Sequence, residues 1–385
     1  MFEDITRVSQ MAKAAAAKDS KVINARVGVL LNDNGELLYS NVFDSVIPTL
    51  SAKEKFAYED VLGPVALRNN VLKFLKQEKF LAKPNMTFIT AGGTGALSNV
   101  ISVFSQNAGL VVSDLCWNNY YAIAKTFKVD LYTFNTFKDD NYNLEAFDNA
   151  LSKAIVEKDN IIVLLNTPSH NPTGYDLSNE ELERIVEILN NKNAENKQIT
   201  VILDIAYYNF GMNQNLDSLL NLNEDINLAI AYSFSKSFGI YGLRMGSLTM
   251  ISKNLDILER QFYSHTRTKW SNPNRLACSA LNKILESDEL CEKVYEEIKS
   301  HMQVLTNKTT IFKEALEEFN IKTYPHTNGF FLSIPVEDPE NVALKLTQKG
   351  VYLTTVVGGI RVAISGVPSY RLRELAEKIA LVINE

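Results

Sequence analysis

A doubly wound α/β fold is what this sequence predicts: a large domain built on a mostly parallel seven-stranded sheet with one antiparallel strand, joined to a smaller α+β domain. Three observations carry the prediction. Between about residues 86 and 252, short apolar or β-branched runs alternate with longer amphipathic segments, the pattern of strands alternating with helices. The runs Ile161-Ile-Val-Leu-Leu165 and Val201-Ile-Leu203 are apolar without interruption, as strands covered on both faces must be. The tract from Phe234 to Ser247 is too short for a helical crossover to a parallel neighbour, which takes about a dozen residues and usually a full helix.

Taken in order, the expected strands cover 86–90, 110–113, 130–134, 161–165, 200–203, 229–234 and 247–251, the last of them antiparallel. Beyond Ser252 apolar residues recur at intervals of three and four over 255–268 and 277–317, which reads as helix. Strand signals return at 329–334 and 359–364, and a final helix starts at Ser369. The chain has 385 residues, and at ~100–200 residues per domain it should divide into two or three. The expected division is 1–40 for an N-terminal arm with part of the small domain, 41–290 for the large domain and 291–385 for the small C-terminal domain.

Composition narrows the function classes. With 46% hydrophobic and 22% charged residues the chain is ordinary for a globular protein, and its net charge of −6 comes with no basic block that would attract nucleic acid. Cys116, Cys278 and Cys291 are odd in number and widely spaced, so reduced thiols in a cytoplasmic protein are expected rather than disulfides or a metal centre. The N-terminal stretch carries Glu3 and Asp4 and no unbroken apolar run, unlike a secretory signal. No apolar run approaches the ~20 residues of a membrane span. A small-molecule partner is the expectation.

In an open α/β sheet ligands bind beyond the carboxyl ends of the strands, and here those ends carry unusual residues. The first is followed by Ala91-Gly-Gly-Thr-Gly95, whose glycines either serve turn geometry alone or bring N–H groups to an anion at a helix N-terminus. The second leads to Trp117, either a lid on the helix layer or a flat platform for a planar ligand. The fourth leads into His170-Asn-Pro-Thr-Gly174, where Asn171-Pro172 restricts the backbone and is the candidate for a cis bond, and His170 reads as a hydrogen-bonded structural residue. The fifth ends in Asp204, a carboxylate in apolar surroundings that implies a buried cation as partner, with Tyr207 just after it. The sixth has Ser233 near its end and is followed by Ser235, Lys236 and Arg244. An anion cradle, an aromatic plate, an amide, a carboxylate, a phenol and an amine together suit a phosphorylated pyridine aldehyde, pyridoxal phosphate, held through a lysine Schiff base.

With these residues in this order the sequence resembles the fold-type I aminotransferases, and among them the aspartate and aromatic amino acid group (class I). The likeness runs from about Ile23 to the C-terminus, through Ile23-Asn-Ala-Arg-Val-Gly28, Gly92-Gly-Thr-Gly-Ala-Leu97, Trp117, His170-Asn-Pro-Thr-Gly174, Asp204-Ile-Ala-Tyr207, Ser233-Phe-Ser-Lys236, Arg244, Ser271-Asn-Pro273, Asn328-Gly329 and Gly359-Ile-Arg361. The resemblance implies that Lys236 bears the aldehyde and moves the substrate's α-proton. It gives Asp204 the pyridine nitrogen and Tyr207 and Asn171 the ring oxygen. Gly93, Thr94, Ser233, Ser235 and Arg244 would hold the phosphate, with Trp117 stacked on the ring. Tyr58 would reach the phosphate of a neighbouring subunit in a homodimer with shared sites. Gly28, Trp117 and Asn171 would border the substrate, Arg361 would clamp its α-carboxylate, and Arg267 would meet a side-chain carboxylate across the dimer.

The implied activity is transfer of an amino group from aspartate, an aromatic amino acid or both to 2-oxoglutarate by a ping-pong route. A β-lyase or decarboxylase of the same fold is the alternative, with a non-catalytic regulator or a nucleotide-binding α/β protein further off. Three departures bear on substrate choice. Tyr120 stands where the aspartate enzymes have a histidine behind the ring-nitrogen aspartate, Trp270 replaces the usual tyrosine with Lys269 beside it, and Arg26 occupies a position usually glycine.

Overall fold

The computed structural model describes residues 12, 14, 15, 19, 21–192 and 197–385; most of the stretch read above for a leader therefore lies outside the described residues. The central sheet has seven strands, β1 (Asn85–Ala91), β2 (Ala108–Ser113), β3 (Asp130–Phe134), β4 (Asn160–Asn166), β5 (Gln198–Asp204), β6 (Asn227–Tyr232) and β7 (Met245–Ile251). Their spatial order is β1-β7-β6-β5-β4-β2-β3. β7 is antiparallel to both neighbours, Ser247 lying opposite Ile89 on one side and Tyr232 on the other, while the other pairings are parallel. The short tract after β6 thus forces the reversal that the sequence predicts.

β4, β5 and β6 are buried over nearly their whole length, because helices cover both faces. On one face Phe88, Leu110, Ile162, Ile202, Ala229 and Leu248 pack beneath α1 (Gly92–Val103), α2 (Asn119–Thr126) and α3 (Leu255–Lys269). On the other, Val111, Val163, Val201, Leu228 and Ile230 meet a larger cluster that includes α4 (Arg275–Leu285). Alternate residues of each strand go to opposite clusters, as the period of two demands.

The helical periodicity over 277–317 resolves into two helices, α4 and the long α5 (Asp288–Glu318), broken where the Ser287 hydroxyl caps the second by accepting from Leu290 N–H. A three-stranded antiparallel sheet, β8 (Leu332–Pro335), β9 (Thr354–Val356) and β10 (Gly359–Val362), packs with α5 and α6 (Ser369–Ile383). Ile23, Ala25 and Leu30 join this same cluster, and Ile23–Asn24 pair in parallel with Val351–Tyr352. That shared core is the ground on which the division into 1–40, 41–290 and 291–385 is proposed.

Candidate active site

The chemistry gathers at one edge of the sheet, where the six parallel strands end and β7 begins. β5 delivers Asp204 at its last residue, 3% exposed. Its Oδ2 accepts from the Tyr120 hydroxyl at 2.6 Å and its Oδ1 from the Ala206 N–H at 3.0 Å. Burial pushes this carboxyl up to about 6; the Tyr120 and Ala206 donors and the Lys236 charge pull the other way. Asp204 is therefore ionised at neutral pH. The fully buried Tyr120 phenol is raised well above its ordinary range by burial and by Asp204, so it remains a donor.

β6 ends at Tyr232, short of the expected Phe234, because Ser233 starts a single helical turn, Phe234–Ser237. That turn aims Lys236 inward: Nζ donates to the Gly28 carbonyl at 2.9 Å and lies 4.9 Å from the Tyr241 ring centre and 5.2 Å from that of Tyr207. Burial, then the charges of Arg244 and Arg361, bring its amine down to about 7, with Asp204 opposing. A lysine so placed is a usable base near neutrality.

Arg244 adopts a left-handed backbone conformation with φ 55°, which costs about 1–2 kcal/mol for a residue with a side chain. In return its guanidinium folds back over the start of α1. Nη1 donates to Tyr241 O at 2.8 Å and reaches Ser235 Oγ at 3.4 Å. A Cβ on Gly92 would come within 2.5 Å of Arg244 Nη2, so only glycine permits the approach. α1 starts directly from β1 without a side-chain cap, leaving N–H groups of its first turn for an acceptor.

The small sheet supplies Arg361 from β10. Its Nη1 donates to Asn171 Oδ1 at 3.0 Å and its Nη2 to Arg26 O at 3.1 Å and Thr354 Oγ1 at 3.2 Å. The guanidinium sits 4.3 Å over the Phe331 ring, its Nε is buried without a partner, and burial lowers it to about 10. Asn171 is held in turn by its N–H on Asn166 Oδ1 at 2.8 Å. The cis bond of this loop is Thr167–Pro168 and not Asn171-Pro172, correcting the expectation; Asn171 is fixed by Asn166 instead. His170 bonds Thr173 Oγ1 through Nδ1 at 2.8 Å, and burial lowers it to about 4, a structural residue as read.

These groups line one cavity of about 360 Å³. It brings together Gly28, Gly93, Thr94, Trp117, Asn171, Asp204, Tyr207, Ser233, Ser235, Lys236, Arg244 and Arg361, and adds Tyr120, Asn166, Tyr241 and Phe331 among others. Tyr241 was within reach of sequence reading, lying between the glycines that follow Lys236; Phe331 and Asn166 gave no signal beyond their strand ends. Tyr58 and Arg267 do not line it. Tyr58 is 92% exposed, and Arg267 lies exposed at the end of α3, donating to Ser271 Oγ at 2.6 Å. Lys269 is also turned away, onto Ser98 O, Asn99 Oδ1 and Ser102 Oγ of α1.

Charge shows what the cavity can hold. Lys236, Arg244 and Arg361 face it with only Asp204 to oppose them, and among the described residues none of the three cations has a carboxylate within ion-pair distance. Two buried cations, Lys236 and Arg361, with the exposed Arg244 beside them, call for anions from outside the chain. The lining suits a planar phosphorylated ring: the start of α1 and Arg244 could meet a phosphate, Asp204 a protonated ring nitrogen and Lys236 an aldehyde, which would leave Arg361 for a further anion.

Such a cavity belongs to enzymes that pass amino groups through a bound aldehyde. The chain belongs to the family Aminotransferase class I and II, whose model matches residues 20–379, and it is a transaminase. It is 29% identical over 283 residues to the aspartate aminotransferase of Pseudomonas aeruginosa, covering 70% of this chain and 69% of that one. To the aromatic-amino-acid aminotransferase of Escherichia coli it is 25% identical over 382 residues, 94% of each chain. Among solved structures, an aminotransferase from Anaerococcus prevotii superposes with a TM-score of 0.91 at 28% identity, covering 99% of this chain and 96% of that one. An aromatic-amino-acid aminotransferase from Burkholderia pseudomallei, covalently bound to pyridoxal phosphate, shares the fold with a TM-score of 0.81 at 24% identity, covering 97% and 96%.

Proposed function

We propose that this transaminase moves the amino group of L-aspartate, of an aromatic L-amino acid or of both to 2-oxoglutarate in a ping-pong cycle, as a cytoplasmic homodimer with shared sites. Pyridoxal phosphate is its cofactor; when bound it supplies an electron-withdrawing ring that stores the donor's nitrogen until an oxo acid collects it. The observation that carries the reading is the cavity's surplus of cations over Asp204, which suits a phosphate together with a substrate carboxylate.

The chain's own residues then have definite work. Asp204, ionised and backed by Tyr120, keeps a proton on a ring nitrogen brought to it. Tyr207, buried and raised above its ordinary range by burial, stays a neutral donor to a ring oxygen, alongside Asn171. Gly93, Thr94, Ser233, Ser235 and Arg244 hold the phosphate, and Trp117 covers the ring. Arg361 would take the α-carboxylate on its fork, and Lys236 would remove the α-proton and deliver it to the cofactor's C4′ carbon. Tyr58 and Arg267 act in the partner's site, the first on phosphate and the second on a side-chain carboxylate.

A donor panel of aspartate, tyrosine, phenylalanine and alanine, with 2-oxoglutarate as acceptor, tests this on the parent and Arg267→Ala. Loss of a charge-assisted contact should raise KM for aspartate by about tenfold to a hundredfold and spare the aromatic donors. Absence of aspartate turnover, or its survival intact in the variant, removes the dicarboxylate reading; ammonia or pyruvate formed without acceptor removes the transfer to 2-oxoglutarate.

A further inference from the structure

Tyr58 and Arg267 are the two expected site residues that leave their own chain's cavity untouched, and they are distant in sequence, yet the structure fastens their segments to each other. Glu59, next to Tyr58, is 6% exposed; its Oε2 accepts from Arg275 Nη1 at 2.7 Å and its Oε1 from the Asp60 N–H at 2.9 Å. The Glu59 carbonyl accepts from Asn272 Nδ2. Asn272 presents its Oδ1 to Arg267 Nη1 at 3.3 Å, beside the bond from that same nitrogen to Ser271 Oγ. A few residues upstream of Tyr58, the Ser279 hydroxyl of α4 donates to Glu54 O at 2.9 Å. An unbroken series of bonds therefore joins the backbone beside Tyr58 to the guanidinium of Arg267. A carboxylate so nearly desolvated persists only with its partner in place, so Glu59 and Arg275 hold the two segments at a fixed spacing.

We propose that Glu59 and Arg275 are positioning residues that set Tyr58 and Arg267 as one rigid pair, coupling cofactor retention and dicarboxylate recognition in the neighbouring subunit. The inference rests on the shared-site reading given above. Neither residue lines the cavity of its own chain, so on this reading their removal acts through the pair they brace.

The test compares Glu59→Gln and Arg275→Met with Tyr58→Phe and Arg267→Ala, all as full-length dimers loaded with pyridoxal phosphate. Two readouts are followed: the rate of cofactor loss on dilution, by absorbance, and the KM for aspartate relative to phenylalanine in the acceptor-free half-reaction. Each brace variant should move both readouts together, by about tenfold, equivalent to about 1.4 kcal/mol, and Arg275→Lys should recover most of both. A lowered melting temperature with both readouts parental, or a change confined to one of them, overturns the coupling. Parental behaviour of Tyr58→Phe and Arg267→Ala overturns instead the shared-site reading. Should one brace variant fail to fold, the other, with Arg275→Lys, carries the same comparison.

Discussion

Lys236 and Lys308 are both withdrawn from water, and burial pulls both amines below their ordinary value, to about 7 and about 8. Neither forms an ion pair among the described residues. They differ in what their hydrogens do. Lys308, 0% exposed in the middle of α5, donates to Leu31 O at 2.7 Å, Val367 O at 2.8 Å and Ser365 O at 3.3 Å. All three of its N–H bonds are used, and the lysine pins the N-terminal arm to the turn before α6. Lys236 makes one such bond, to Gly28 O, and faces a cavity. A depressed amine pKa therefore does not by itself mark a reactive lysine. Unused donor capacity beside open space does, because only that amine can exchange its protein contact for a substrate.

The sharpest way to break the comparison is to remove each lysine in turn. Lys236→Ala should lower transamination about 10⁴-fold or more, the upper range for a lost acid–base group, with its melting temperature parental or higher and the lysine Schiff-base absorbance absent after loading. Lys308→Met should do the reverse, taking the Lys308 donor from the Leu31 and Val367 carbonyls while Ser365 O keeps the Leu31 N–H, and costing about 1–3 kcal/mol of stability in urea unfolding, with turnover per folded molecule preserved. Equal losses of activity from both would erase the distinction. Tyr120→Phe asks how far the cavity's electrostatics depend on one phenol. Because Tyr120 favours ionised Asp204, its removal should raise that carboxyl above about 6, cut turnover at pH 7 by about tenfold and move the acid limb of the pH profile upward. The smallest effect is kinetic. Recombination of the cofactor-free protein with pyridoxal phosphate needs the neutral amine, so its rate should rise about threefold between pH 6.5 and 7.5 and then level off, as a pKa of about 7 dictates; a rise of about tenfold per pH unit that continues past pH 8 refutes the lowered value.

Much of this was legible in the sequence because local pattern and global plan agree. Uninterrupted apolar runs marked the central strands, and the short tract between Phe234 and Ser247 forced an antiparallel β7. The unusual residues stood directly after strand ends, where topology gathers them without further help. What escaped depends on contacts between distant segments. Lys308 lies on a helix whose sequence reads as ordinary, and its burial follows from three carbonyls contributed by the arm and the C-terminal region. Lys269, expected to add a cation near the substrate, is drawn instead onto α1. The Glu59–Arg275 pair joins residues that no spacing rule connects. The break between α4 and α5 did have a local signal, the Ser287 cap, but the apolar periodicity runs on across it.

The reversed strand β7 has a mechanical consequence. Because the chain turns back after β6, Lys236 and Arg244 are brought to the same edge by a tract of a few residues. Closing so short a loop takes little entropy, so the spacing of Lys236 and Arg244 is set locally. Arg361 arrives from a separate sheet, through Asn171 and Arg26. One end of the cavity is accordingly set within a single short tract of chain, and the other by how the small sheet docks beside the large one.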